Sequence, residues 1–146
     1  MDKHVAILAI PEIDEITIKE AKRIFFAYRE KDIISQSRFD DDIWDLNNET
    51  SGYHFNFEID SNRFKKFGEE LHLTEDEFKD YLKTYIICRM GDLELESLRR
   101  LIHDIKKIVH SDVSDTDSLL DVCSPKTVGC VSEFFAMLPE TCREEE

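Results

Sequence analysis

The stretch from Glu77 to Val109 constrains the fold more than any other part of the chain. It reads EFKDYLKTYIICRM, then GDLELE, then SLRRLIHDIKKIV. Phe78, Leu82, Tyr85, Ile86 and Met90 recur at steps of three and four. So do Leu98, Leu101, Ile102, Ile105, Ile108 and Val109. That period predicts two helices, each with one buried stripe, on either side of a short glycine-containing break. The opposite faces carry Lys79, Lys83, Arg89, Arg99, Arg100, Lys106 and Lys107.

Those cations matter because of the chain that surrounds them. The formal net charge is −14 over 146 residues. An average that acidic argues against indiscriminate binding to nucleic acid, since phosphate repels a carboxylate-rich surface. The charge is unevenly spread, however. Residues 79–107 hold seven basic and five acidic side chains, whereas residues 1–60 hold seven and fourteen, and residues 108–146 hold two and nine. The helical pair is the one tract with net positive charge.

Around it, Thr17-Ile18-Lys19-Glu20 has the form of a capping box and predicts a helix to about Lys31, with Ile18, Ala21, Ile24, Phe25 and Tyr28 on one face. Ile43-Trp44-Asp45-Leu46, a turn cluster at residues 47–52, and an alternating Tyr53-His54-Phe55-Asn56-Phe57-Glu58-Ile59 predict a β-hairpin. Two strands alone are marginal in water, so the hairpin must lie against a helix, with Trp44 as its anchor. Ser61 is a candidate cap for a short helix over Asn62 to Leu71, and Thr74-Glu75-Asp76-Glu77 is a second capping box. Gly91 stands where a glycine would stop the helix that follows. Ser124-Pro125 suggests a final helix carrying Val128, Val131, Phe134, Phe135 and Leu138, ended by Pro139. His4 to Ile10 is a short apolar stretch, and residues 111–121 read as an acidic loop.

Signatures of chemistry are sparse. No HExxH, Cys-x-x-Cys, GxSxG or glycine-rich phosphate loop occurs. Asp112, Asp115, Asp117 and Asp121 are interrupted by Leu119 and Leu120 and lack a central glycine, so they read as solvated loop rather than a calcium site. Asp40-Asp41-Asp42 reads as an exposed turn before the strand at Ile43. Cys130 near Glu133 has no partnered histidine to make it a nucleophile. The four cysteines form no close pair, and the N-terminus has no apolar run of signal-peptide length, so a reducing, cytoplasmic setting is expected. No metal, cofactor or membrane is implied, and no run approaches the ~20 apolar residues of a spanning helix.

The run YLKTYIICRMGDLELESLRRLIHDIKKIV resembles the first helical hairpin of the core-binding domain of integrase-like tyrosine recombinases, through Tyr85, Ile86, Arg89, Ser97, Leu98, Ile102, Ile105 and Lys106. DDIWDLNN with YHFNFEI upstream, and VSEFFAMLPE downstream, are similar to neighbouring segments of such proteins. The resemblance covers about residues 39–140 and rests on hydrophobic pattern. It implies a mainly α, SAM-like helical bundle of core-binding type with a small N-terminal β-hairpin. Residues 1–72 would be the helix-plus-hairpin part, 73–140 the core-binding-like part and 141–146 a charged tail. It implies DNA as partner, contacted by Lys79, Lys83, Arg89, Arg99, Arg100, Lys106, Lys107 and Lys126, with a homo-oligomer on DNA as the assembly. The family's catalytic domain carries an Arg, a His-x-x-Arg and a Tyr nucleophile. The nearest form here is His103-Asp104-Ile105-Lys106, and none of Tyr28, Tyr53, Tyr81 and Tyr85 is assignable as nucleophile. The expected role is therefore non-catalytic, positioning a catalytic domain supplied elsewhere. The alternative class is an acidic protein-interaction module or a DNA mimic.

Overall fold

The computed structural model describes residues 15–47, 53–110, 125 and 127–138. In order, they form α1 (Glu15–Glu30), β1 (Ile43–Asp45), β2 (His54–Asn56), α2 (Ser61–Leu71), α3 (Glu75–Arg89), α4 (Leu95–Val109) and α5 (Val128–Ala136). The protein is mainly helical with one small antiparallel sheet. Among the described residues, no helix is long and apolar enough to cross a membrane. The predicted N-terminal stretch, the turn over residues 48–52, the acidic loop, Ser124, Lys126, Pro139 and the charged tail lie outside the described residues.

Helix ends show where local signals win and where packing overrides them. The capping box at Thr74 forms as predicted: Thr74 Oγ1 accepts from Glu77 N (3.1 Å), and Glu77 Oε1 accepts from Thr74 N (3.0 Å). The box at Thr17 does not, because α1 already runs from Glu15 and Thr17 is buried inside it. Asp60, not Ser61, caps α2, its carboxylate accepting from Asn62 N and Arg63 N. A carboxylate there also suits the positive end of the helix dipole. Ser61 is released to donate to Glu75 Oε1 (2.7 Å), tying the starts of α2 and α3 together. Gly91 does not terminate α3. Met90 follows the helix in right-handed geometry, and Asp92 N and Leu93 N close back onto Arg89 O. The left-handed cap falls instead on His72 (φ 55°) after α2, where His72 N donates to Glu69 O and Leu73 N to Gly68 O. Pro125 stands outside α5, which begins at Val128; Thr127 precedes it and donates its hydroxyl to Asp104 Oδ2 (2.7 Å) on α4 rather than capping its own helix.

The hairpin pairs Ile43 with Asn56, Trp44 with Phe55 and Asp45 with His54. Trp44 is fully buried and is the anchor its position suggested. Its ring meets Phe25 of α1 and Phe57 at 4.7 Å each, and Phe39 at 5.5 Å. Its indole Nε1 donates to Phe39 O (3.3 Å). The alternation beyond β2 holds for Phe55, Phe57 and Ile59, which are buried, while Tyr53 is only half-buried. A second aromatic group joins Phe64 and Phe67 of α2, Phe78 of α3 and Phe134 and Phe135 of α5. One hydrophobic cluster runs from Ala21 to Leu138 through both.

α3 departs from its periodicity. Every residue from Leu82 to Cys88 is buried, so the helix has no solvent face over two turns. α1, α2 and α4 all pack on it, and the rings of α5 meet Phe78 and Tyr85. α4 keeps a single buried stripe of Leu98, Leu101, Ile102, Ile105, Ile108 and Val109. Lys83 is the extreme consequence. Its side chain is sealed inside, with Nζ donating to Phe39 O (2.8 Å) and lying 5.6–6.0 Å from the rings of Phe39, Trp44 and Phe57. Burial lowers its pKa. The aromatic faces and the carbonyl replace part of the hydration that the ammonium loses.

Three stability outcomes follow from this geometry. Lys83→Met keeps the volume and leaves Phe39 O with the Trp44 donor, so urea unfolding should stay within about 1 kcal/mol of the parent or exceed it, whereas Trp44→Ala should cost about 3–5 kcal/mol. At Gly68, a Cβ would lie 2.7 Å from Phe64 Cε2 and 2.8 Å from Leu73 O. Gly68→Ala should therefore lower stability by about 1–3 kcal/mol, reversing the ~1 kcal/mol that alanine ordinarily gains inside a helix.

Candidate nucleic-acid interface

Residues 99, 103 and 106 are spaced four and three apart, so Arg99, His103 and Lys106 follow one another along α4, with Arg100 beside them. This stripe faces β2. Together with His54, Asn56, Ile102 and the Glu96 carboxylate, these side chains line an open cleft of about 470 Å³. Arg99, Arg100 and His103 are exposed. Arg99 is held by stacking its guanidinium 4.8 Å from the Tyr53 ring centre, and Tyr53 in turn donates its hydroxyl to Glu96 Oε1 (3.1 Å). Burial and then the Glu96 carboxylate push the Tyr53 phenol up, keeping it protonated and able to donate. Lys106 reaches across to the hairpin, donating from Nζ to Asn56 O (3.1 Å). Desolvation lowers its pKa, and Glu58 and Asp42 offset part of that. Lys107 is exposed in the last turn, where both lysines favour the negative end of the helix dipole.

No protein-family model, curated protein or solved structure matches the chain. The geometry of the site is therefore the ground for its interpretation.

The other expected DNA-contacting residues are elsewhere. Lys83 is buried and reaches no surface. Lys79 is largely covered, bound to Asp42 (2.9 Å) and Glu75 (3.5 Å). Burial pulls its pKa down, but the two carboxylates outweigh it and the net shift is upward. Asp42 is thus part of an ion pair rather than a purely solvated turn. Arg89 is fixed between Asp92 (2.6 Å) and Glu133 (2.5 Å), and its Nε donates to the Tyr85 hydroxyl (3.3 Å). Desolvation works against the guanidinium, but Glu133 and Tyr85 raise its pKa overall. Glu133 also accepts from the Tyr85 hydroxyl, so it serves as a clasp between α5 and α3 rather than a base for Cys130. Tyr85 is driven well above the ordinary phenol range, first by burial and then by Glu133. Burial pushes the Cys88 thiol up to about 11, the behaviour of an inert core cysteine. Among the described residues, no group of three or more His, Cys, Asp or Glu could hold a metal ion.

Sequence reasoning named Arg99, Arg100, Lys106 and Lys107 but missed His54, Asn56 and His103. His103 was available from spacing, four after Arg99 and three before Lys106. His54 and Asn56 occupy the outward phase of the β2 alternation, and nothing local says that this face lies beside α4.

A second cleft next to Lys106 includes His110, whose Nε2 accepts from Asp60 N (3.1 Å). That bond requires a neutral ring nitrogen. Desolvation, followed by the Arg63 charge, holds this imidazole below its ordinary 6.5. The folded state thus takes up the proton less readily than the unfolded chain. The contribution is complete above about pH 6.5 and is lost as pH falls through the lower folded value. His110→Gln retains an acceptor without a titrating ring. Thermal melts from pH 7 to 5 should show a shallower loss of Tm for this variant than for the parent.

Proposed function

We propose that the chain is a DNA-backbone-binding module, the non-catalytic core-binding-type region of an integrase-like tyrosine recombinase. It positions a catalytic domain, carried elsewhere, in a cytoplasmic setting, with a homo-oligomer on DNA as the assembly. The observation that carries the DNA reading is the convergence of Arg99, Arg100, His103 and Lys106 in one open cleft, in a chain whose other tracts are acidic. Guanidinium and ammonium groups on one helix face neutralise phosphates and hold register without reading bases. The mainly helical bundle, and the α3–α4 pair on which the resemblance rests, support the recombinase assignment. The acidic balance of the chain gives binding a direction: a duplex is favoured on the α4 face over the carboxylate-rich parts.

The reading is tested by fluorescence anisotropy on a short duplex across a salt series. Each neutralised phosphate contributes about −0.9 to the slope of log affinity against log salt. Replacing Arg99, Arg100, Lys106 and Lys107 by alanine together should weaken binding at least ~10-fold at low salt and flatten the slope by about 3.6. Lys79→Ala, which removes a cation already bound to Asp42 and Glu75, should leave the slope unchanged. Parent protein that shows no salt-dependent binding would overturn the proposal.

A further inference from the structure

α1 presents a second feature that DNA binding does not use. Phe26 is 58% exposed, the most exposed of the large hydrophobic side chains among the described residues. It stands one position away from the buried Phe25, with Lys22 one turn before it and Arg29 about one turn after. The loop ahead of β1 brings Arg38, Phe39 and Asp40 against this stripe, closing a cleft of about 440 Å³. Its apolar surface comes from the Phe26 ring and the edge of Phe39. Lys22 Nζ lies 5.5 Å from the Phe39 ring centre. Among the described residues, Lys22, Arg29 and Arg38 form no ion pair. Phe26 and Arg29 also border an adjoining cleft with Ser35 and Gln36, where the carboxylates of Glu30 and Asp32 end the cationic surface.

Three cations without an ion pair among the described residues surround an exposed ring in a chain with a net charge of −14, with Asp80 acting on Lys22 from a distance and Asp40 at the rim. We propose that this cleft is a docking surface for an acidic peptide segment bearing one apolar anchor side chain. The anchor covers Phe26 and Phe39, and flanking carboxylates meet Lys22, Arg29 and Arg38. Charge complementarity selects the acidic partner, and the apolar wall between the cations selects a side chain over a phosphate. The Asp40 carboxylate at the rim repels carboxylates and phosphates alike, but it can accept from the N–H groups that a peptide has and a phosphate backbone lacks. None of the residues lining this cleft lines the α4 cleft, so the two surfaces are separable.

The test uses the full chain and a short fluorescein-labelled peptide of aspartates and glutamates around a central Leu-Phe pair. A second peptide has that pair replaced by Ser-Ser. Anisotropy should show binding of the first peptide that weakens about tenfold or more with Phe26→Ser, the loss of one buried anchor. Arg29→Ala with Arg38→Ala should weaken it similarly and reduce its salt dependence. Circular dichroism should show the fold intact, since these side chains lie at the surface. The alanine variant at Arg99, Arg100, Lys106 and Lys107 should bind the peptide as the parent does. Equal binding of the two peptides would mean charge alone and overturn the proposal, as would no binding at all. Loss of duplex DNA binding on changing Arg29 and Arg38 would assign the face to nucleic acid instead. A dimer of the parent, seen by sedimentation equilibrium and abolished by Phe26→Ser, would assign it to a second copy. Either result overturns the peptide reading.

Discussion

The carbonyl of Phe39 holds the fold together at one point. It accepts from the Trp44 indole and from the Lys83 ammonium at once. The first donor belongs to the hairpin and the second to α3, 39 residues further along the chain by number. A two-stranded sheet has little stability of its own. Here it becomes one wall of a box closed by Phe25 of α1, by Lys83 of α3 and by α4, which packs on β2. A buried cation is expensive unless its surroundings replace water. Three ring faces and one carbonyl do so only while the loop from Arg38 to Asp42 keeps its conformation. The Lys79–Asp42 ion pair and the bond from Phe57 N to Asp42 O (2.7 Å) hold that loop from outside.

At the other end of α3 the same design is repeated with charge. Arg89, Tyr85 and Glu133 join α3 to α5, while Thr127 and Asp104 join the start of α5 to α4. A helix of only nine residues is marginal alone. α5 persists because Val131 and Phe134 enter the core and two polar contacts fix its ends. These interactions withdraw Arg89 and Lys83 from the surface. The basic character that the α3–α4 tract shows as a sequence is therefore concentrated, in three dimensions, on α4 alone.

What could be read from the sequence was local or periodic. The helical pair, the hairpin, the Trp44 anchor and the Thr74 capping box all depend on neighbours within a few residues, and all are present. The absence of a solvent face on α3 was not legible. A lysine at helical spacing from polar neighbours reads as exposed, and only the folding of a distant loop over it shows otherwise. Likewise Arg89 and Glu133 are separated by 44 positions, and no local pattern pairs them. Cap choice failed by small margins, because Asp60 and Ser61 are both good caps and the decision rests on whether Ser61 is needed at Glu75. For the α4 cleft, the cations were legible and the hairpin opposite them was not.

Trp44 is the chain's sole tryptophan, and it sits at zero exposure. Tryptophan emission from the protein thus has a single origin, an indole walled by rings with an ammonium 6.0 Å from its centre. Its spectrum reports the joint between hairpin and α3. Across the sheet Trp44 pairs with Phe55, whose neighbours His54 and Asn56 line the α4 cleft. Loosening of the Arg38–Asp42 loop thus registers directly at the indole, and a displacement of β2 reaches it through a single strand pair.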